Sequence, residues 1–306
     1  MFKGHPKGLI PASLANMGER FGFYTMMAIL VLFLQAKFGL SGTNAGYIYA
    51  AFYFSIYILA LVGGIIADRI KNYKGTILVG IIMMAAGYAI MAIPTPTPVS
   101  SVPIFLTISI IGLGVIAFGN GLFKGNLQAL VGQMYDNEKY EKMRDSGFSL
   151  FYAFINVGAI FAPFTAVGIR NWWLNSNGFS YDATLPEQCH TYLAGIMSEE
   201  NVNKYQEFAE NAAGGTITDL TGFSNSYLNV FNTGFHYAFG IAIIAMAISL
   251  VIYLANRKNF PNPKGTTTSG KVEITNEIKM EAKEVAQRMY ALLAVFGVVI
   301  FFWFSF

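Results

Sequence analysis

Three charged residues fall within stretches that are otherwise apolar: Glu19 and Arg20 near the N-terminus, and Lys124 further along the chain. An ionisable side chain at the centre of a bilayer costs roughly 2.5–3.5 kcal/mol on insertion scales, so each needs a partner or a function. A desolvated lysine keeps its proton only beside an anion, so we expect Lys124 to pair with Glu19 or to bind a substrate carboxylate. Asn16, Arg20 and Tyr24 follow at four-residue intervals, which predicts an inward-facing polar stripe on a helix.

The surroundings of these charges leave two interpretations open. Glu19 and Arg20 are adjacent, so a helix points them about 100° apart and we expect each to find its partner on another helix or in water. Lys124 lies in residues 119–126, where glycines permit close helix packing or local unwinding. The alternative to a substrate site is a structural ion-pair network that clamps two helices together.

The composition restricts the class of protein. The chain has 306 residues, of which 54% are hydrophobic and 12% charged, a balance that excludes disorder. A net charge of +3 is too dilute for a nucleic-acid partner. The single cysteine excludes an internal disulfide and any multi-cysteine metal site, and the three histidines are scattered. These features predict an all-α, polytopic membrane protein that is not an enzyme and holds no metal and no cofactor.

A helix needs about 20 apolar residues to cross the hydrocarbon layer. Segments of that kind predict spans at 13–36, 44–67, 75–94, 103–133, 145–169 and 235–255, and a seventh that begins near Met289. Most basic residues outside the spans lie on the side of the N-terminus, whereas the other side has only Lys37, Arg170 and Lys204. The positive-inside rule therefore predicts an integral multi-pass protein, in the cytoplasmic membrane, with its N-terminus in the cytosol.

The spans and connections predict three regions. Residues 1–255 would form a bundle of six spans, with an external loop at 170–234 that packs on it as a small cap. Within that loop, Ser198 would cap an amphipathic helix whose apolar residues are Val202, Tyr205, Phe208 and Ala209. Residues 256–288 would be a cytosolic linker that ends in an amphipathic helix, with Ile274, Ile278 and Val285 on one side, and 289–306 would begin the seventh span.

Four segments resemble motifs of one transporter family. Residues 18–24 (GERFGFY) resemble the Glu-x-x-Glu-Arg-Phe-x-Tyr-Tyr motif on the first helix of the proton-dependent oligopeptide transporters, which belong to the major facilitator superfamily. Residues 151–158 (FYAFINVG) are similar to the fifth-helix signature of that family. Residues 122–126 (LFKGN) are similar to its fourth-helix lysine segment, with Gly125 where proline is usual. Residues 64–69, with Lys74 after them, resemble the superfamily's loop 2–3 motif, with Lys71 replacing its second glycine.

The resemblance implies a fold of two six-helix bundles around a cavity that opens alternately to each side of the membrane. Its partners would be the lipid bilayer, a short peptide or peptide-like substrate, and a C-terminal helix bundle of the same protein. The chain stops within the seventh span, so we expect it to be the N-terminal part of a longer protein. The resemblance implies that Lys124 binds the substrate carboxylate and that the peptide receives hydrogen bonds from Tyr24, Tyr57 and Asn156. It also implies that Glu19 and Arg20 form a charge network coupled to the substrate. Asp68 and Arg69 would form a cytosolic gate.

Two positions depart from the family pattern. Asn16 stands where the family has its proton-coupling glutamate, and Met27 where it has a carboxylate-binding arginine. One acid and one base are lost together, so the local charge balance is retained.

Three functions therefore stay open. The first is a proton-coupled carrier of di- and tripeptides. The second is a carrier of another small anionic or zwitterionic solute that does not couple protons through the usual glutamate. The third is a non-transporting membrane module that binds through its external loop.

Overall fold

The computed structural model describes residues 4–261 and 282–304, and every regular element in those ranges is helical. The chain divides into two compact units, Met1–Pro261 and Asn262–Phe306. The helices are α1 (Leu9–Phe38), α2 (Gly42–Ile70), α3 (Tyr73–Ala92), α4 (Val102–Met134), α5 (Arg144–Ser176), α6 (Leu185–Leu193), α7 (Glu199–Ala213), α8 (Leu220–Ala255) and α9 (Ala282–Phe304), with single 3-10 turns at Glu141–Met143 and Arg257–Asn259.

Six helices of the first unit are long and apolar enough to cross a membrane: α1 to α5 and α8. They confirm the predicted all-α membrane fold. The predicted start of the sixth span, however, is not where its helix begins. α8 starts at Leu220, where the Asp219 side chain caps it by accepting the Gly222 N–H at 2.9 Å. A hydropathy pattern detects only the part of a helix that is apolar enough for the bilayer. The first turns of α8 are too polar to be detected in this way.

Small residues allow the membrane helices to pack closely. α4 lies against α2 and α3, and α1 lies against α5 and α8. A Cβ atom added to Gly119 would stand 2.8 Å from the Gly80 carbonyl oxygen, and one added to Gly121 would collide with the Leu59 backbone. α4 continues without interruption through residues 119–126, so the expectation of close packing is confirmed and the alternative of local unwinding is wrong.

Helices α6 and α7 form a cap at the end of the first unit where α1 terminates. The predicted amphipathic helix is present, but its buried face follows Tyr205, Ala209 and Ala212. Phe208 lies off this stripe and is 42% exposed, so its assignment to the packed face is wrong. Ser198 stands at the N-cap, although its side chain accepts no hydrogen bond there and its backbone carbonyl bonds to Val202 instead.

The cap is fixed to the membrane helices by specific polar contacts. The Tyr227 hydroxyl on α8 accepts the Asp182 N–H at 3.1 Å and donates to the Ser180 carbonyl at 3.2 Å. His190 Nε2 donates to the Ala36 carbonyl of α1 at 2.8 Å. The Arg170 guanidinium of α5 lies 3.8 Å from the centre of the Tyr181 ring. These contacts support the interpretation of a packed cap, but the predicted bounds of 170–234 are wrong, because α5 continues to Ser176 and α8 begins at Leu220, which leaves residues 177–219 for the cap.

The second unit is described only through α9. In this helix Arg288 Nη2 donates to Glu284 Oε1 at 2.7 Å, and residues 286–299 form an apolar stretch. The predicted amphipathic positions Ile274 and Ile278 lie outside the described residues. A seventh span from residue 289 stays a prediction.

Candidate functional site

Glu19 and Arg20 form a buried ion pair. Arg20 Nε lies 2.5 Å from Glu19 Oε2, and Arg20 Nη2 lies 2.6 Å from Glu19 Oε1. Glu19 is 0% and Arg20 5% exposed. The expectation that these neighbours would not satisfy each other is wrong, because the long arginine side chain curls back and its planar fork matches both carboxylate oxygens.

The partner that Glu19 finds on another helix is Asn120, not Lys124. Asn120 Nδ2 on α4 donates to Glu19 Oε1 at 2.6 Å, and the asparagine is fully buried. Our sequence reasoning assigned no role to Asn120. The sequence did indicate that Asn120 could belong to the site, since it precedes Lys124 by four residues and therefore shares its face of α4.

Lys124 has an aromatic neighbour but no carboxylate partner in residues 4–261. Its Nζ atom lies 5.1 Å from the centre of the Tyr57 ring, and the side chain is half-buried. In residues 4–261 no carboxylate lies within ion-pair distance of Lys124. Glu19 and Arg20 are within electrostatic reach of the ammonium, but they neutralise each other. With Lys124 protonated, the three groups would carry one net positive charge, which suits an incoming carboxylate.

Tyrosines on α2 extend this polar surface. The hydroxyls of Tyr57 and Tyr53 lie 3.0 Å apart, and the Tyr53 ring stacks on Tyr49 with centroids 6.4 Å apart. Tyr57 is 53% and Tyr53 42% exposed, so both hydroxyls are accessible. Our sequence reasoning missed Tyr53, although its four-residue spacing from Tyr57 places both residues on one face of the helix.

Three predicted site residues are not bonded to this cluster. Tyr24 is 36% exposed and packs edge-on against Phe23. Asn16 is buried, whereas Asn156 on α5 is exposed. None of the three hydrogen-bonds to Lys124 or to the Glu19–Arg20 pair in the part of the chain that the structure describes. Their proposed roles stay predictions.

The predicted gate residues lie at the end of α2. Asp68 accepts a hydrogen bond from the Tyr73 hydroxyl, a partner that the sequence did not indicate, and Arg69 is exposed. Lys71 ends the helix in the left-handed region, with φ of +53°. Glycine adopts this conformation without strain, which explains in physical terms why the superfamily motif has glycine at the position of Lys71.

Comparison with known proteins identifies the family. The model of the POT family matches residues 74–269, which is more than half of the chain. The chain belongs to the POT family. The likeness of its helices to the oligopeptide transporters is thereby confirmed, and the chain is an integral membrane protein of that family.

Two relatives of this POT-family chain carry functional names. It is 34% identical over 185 residues to peptide transporter YePEPT of Yersinia enterocolitica, an alignment that covers 59% of this chain and 34% of the relative. It is 33% identical over 142 residues to dipeptide and tripeptide permease A of Chromobacterium violaceum, covering 46% of this chain and 27% of the relative. Both relatives are transporters rather than enzymes.

A solved transporter has the same fold. The crystal structure of peptide transporter POT in complex with sulfate superposes with a TM-score of 0.57 at 25% sequence identity. The superposition covers 98% of this chain and 46% of the solved one, so the POT-family chain spans about half the length of that transporter.

Proposed function

We propose that the protein carries short peptides across the membrane by alternating access, as the N-terminal half of a two-bundle carrier. The observation that carries the proposal is the half-buried Lys124 ammonium, which has no carboxylate partner among the described residues. An unpaired charge in this environment costs free energy that a substrate carboxylate would recover. The peptide-transporter names of the two relatives support the substrate class.

The tyrosines beside Lys124 give the site its second chemical feature. The accessible hydroxyls of Tyr57 and Tyr53 can donate to peptide carbonyls and accept from peptide N–H groups. Tyr24 and Asn156 would add contacts from α1 and α5 in a conformation that brings the helices closer around the substrate. The C-terminal bundle would supply the opposite wall.

Proton coupling through this chain would use Glu19, the one carboxylate deep within a predicted span. Protonation of Glu19 would remove the negative charge that holds the Arg20 guanidinium and would free that guanidinium to contact substrate. Asn16 cannot titrate, and a group in the C-terminal bundle is the other candidate. Asp68 and Arg69 would act at the cytosolic gate of a protein that lies in the cytoplasmic membrane with its N-terminus in the cytosol.

The second candidate is a carrier of another small anionic or zwitterionic solute. Asn16 and Met27 favour it, because the usual proton acceptor and one carboxylate-binding cation are both replaced. Lys124 would still bind the anionic group of that solute. Transport would then not respond to a proton gradient through the usual glutamate.

Substitution of Lys124 tests the site. In proteoliposomes of the full-length protein, Lys124→Gln should lower the uptake of a labelled dipeptide at least about a hundredfold, because a charged contact of about 3 kcal/mol is lost. The matched control is Lys204→Gln, which removes an exposed lysine and should leave uptake unchanged. Lys124→Gln protein that folds and transports normally would contradict the assignment.

A further inference from the structure

A buried lysine lies far along α1 from Glu19, where α1 meets α8. Lys37 is 4% exposed, and its Nζ atom lies 2.9 Å from Nε2 of His236, which is itself 2% exposed. In the described ranges, no carboxylate lies within ion-pair distance of Lys37. Its other neighbours are the rings of Phe33 and Phe38, at 5.3 and 6.0 Å.

The hydrogen bonds of His236 locate the charge. Its Nδ1 atom lies 2.8 Å from the Met91 carbonyl oxygen, which can only accept, so Nδ1 carries a hydrogen. Nε2 then carries no hydrogen and accepts a hydrogen bond from Lys37 Nζ, because a hydrogen on Nε2 would point at the hydrogens of the lysine amino group. The imidazole is neutral, so a positive charge on this pair lies on Lys37.

A cavity of about 150 Å³ opens beside this pair. It lies between α1, α3, α4 and α8, and its polar lining consists of Lys37, His236, Ser109 and Thr95. The Thr95 hydroxyl is buried and has no hydrogen-bond partner among the described residues. None of the residues that line the cavity is an aspartate or a glutamate. The cavity therefore combines an ammonium and an unused hydroxyl with no negative charge.

We propose that this cavity binds a monovalent halide ion, with chloride as its physiological occupant. Bound chloride would accept from the two ammonium hydrogens that His236 does not use and from the Thr95 hydroxyl. A water molecule occupies about 30 Å³ in the liquid, so there is room for a halide and several waters. A doubly charged anion would leave net negative charge against apolar walls such as Phe33 and Phe105, which is costly.

The site is independent of the proposed transport site, so its test can fail separately. It would stabilise the packing of α1 against α8, because an ion that binds only the folded state raises the free energy of unfolding. In detergent, at fixed ionic strength, the unfolding temperature of the full-length protein should rise by several degrees as chloride replaces gluconate, and the rise should saturate. Bromide should substitute for chloride and give an anomalous scattering peak in contact with Lys37 Nζ.

Variants separate specific binding from general salt effects. Lys37→Met should abolish the chloride dependence, and Thr95→Val, which keeps the side-chain volume, should raise the chloride concentration required about tenfold. Lys204→Met removes an exposed lysine of the cap and should behave as wild type. If Lys37→Met does not fold, the Thr95→Val variant and the bromide peak still show whether the cavity binds a halide. Equal unfolding temperatures in chloride and gluconate, or a cavity that holds only water in bromide, would overturn the proposal.

Discussion

At the scale of residues, the buried charges of the first unit differ in how they are satisfied. Glu19 receives two hydrogen bonds from Arg20 and one from Asn120, so it is fully paired inside the bundle. Lys124, one turn beyond Asn120 on α4, has an aromatic ring for a neighbour and no described counter-charge. The Glu19–Arg20 pair is thus neutral as a whole, whereas the nearby Lys124 side chain is available to bind a ligand.

Glu19→Gln should destabilise the protein strongly. The substitution leaves the Arg20 guanidinium buried without a counter-charge, which costs about 3 kcal/mol in the free energy of unfolding. Thermal unfolding in detergent measures this loss. Glu200→Gln is the matched control, because it removes an exposed partner of Lys204 and should change stability by less than about 0.5 kcal/mol. Equal stability of the two variants would show that the pair contributes nothing.

Sequence reasoning located these charges but not their partners. Glu19, Arg20 and Lys124 stand out because charge is rare in apolar stretches, and that rarity needs no structure to detect. The bond between Glu19 and Arg20 depends on side-chain rotamers, which the 100° helical period does not specify. Asn120 and Tyr53 were detectable, since each lies four residues from a residue already singled out, on the same face of its helix.

At the scale of elements, α4 is the helix that brings the site together, because it packs on both α2 and α3. Gly119 and Gly121 let the neighbouring backbones approach, and Asn126 Nδ2 donates across this contact to the Gly63 carbonyl at 3.0 Å. The distance between Lys124 and Tyr57 is therefore set by backbone packing rather than by the two side chains alone.

Gly121→Ala should separate α2 from α4. The added methyl group would collide with the Leu59 backbone, and we expect a loss of about 2 kcal/mol in the free energy of unfolding. Gly114→Ala on the same helix is the matched control, because its methyl group meets open space and should be neutral or stabilising. Thermal unfolding of the two variants compares them directly. Destabilisation of both to the same extent would point to a general intolerance of α4 rather than to close packing.

His190 should make the docking of the cap sensitive to pH. Burial lowers the pKa of His190 below its ordinary value of about 6.5, although its bond to the Ala36 carbonyl acts in the opposite direction. The folded state therefore binds fewer protons than the unfolded state, so this residue's contribution to stability is present above about pH 6.5 and is lost as the pH falls below it. Thermal unfolding from pH 7.5 to pH 5 should show a steeper loss in wild type than in His190→Gln. Identical pH profiles would contradict this role.

The elements show where hydropathy is informative and where it is not. Stretches of about 20 apolar residues identified all six long helices, since bilayer thickness imposes that length. The same criterion missed the first turns of α8, which pack against the cap through Tyr227 and other residues. Polar helical turns outside the bilayer resemble loop sequence, and only their capping residue, Asp219, marks the true start of α8.

At the scale of the whole molecule, the two ends of the first unit differ in charge. The cap joins the end of α1 where Ala36 meets His190, and the basic residues at that end are few. Arg69, Lys71 and Arg257 lie with other basic residues at the opposite end, the one that the positive-inside rule assigns to the cytosol. The orientation proposed above rests on this asymmetry, and the proposed carrier also requires the C-terminal bundle.

The measurement that tests the central claim most directly is dipeptide uptake by proteoliposomes of the full-length protein, with and without an imposed inward proton gradient. We expect labelled dipeptide to accumulate above its external concentration when the gradient is present and only to equilibrate without it. If the dipeptide only equilibrates even when the gradient is present, the result would contradict proton coupling but would still support peptide transport. No dipeptide uptake by folded, inserted protein would contradict the peptide-carrier account and favour a carrier of another solute.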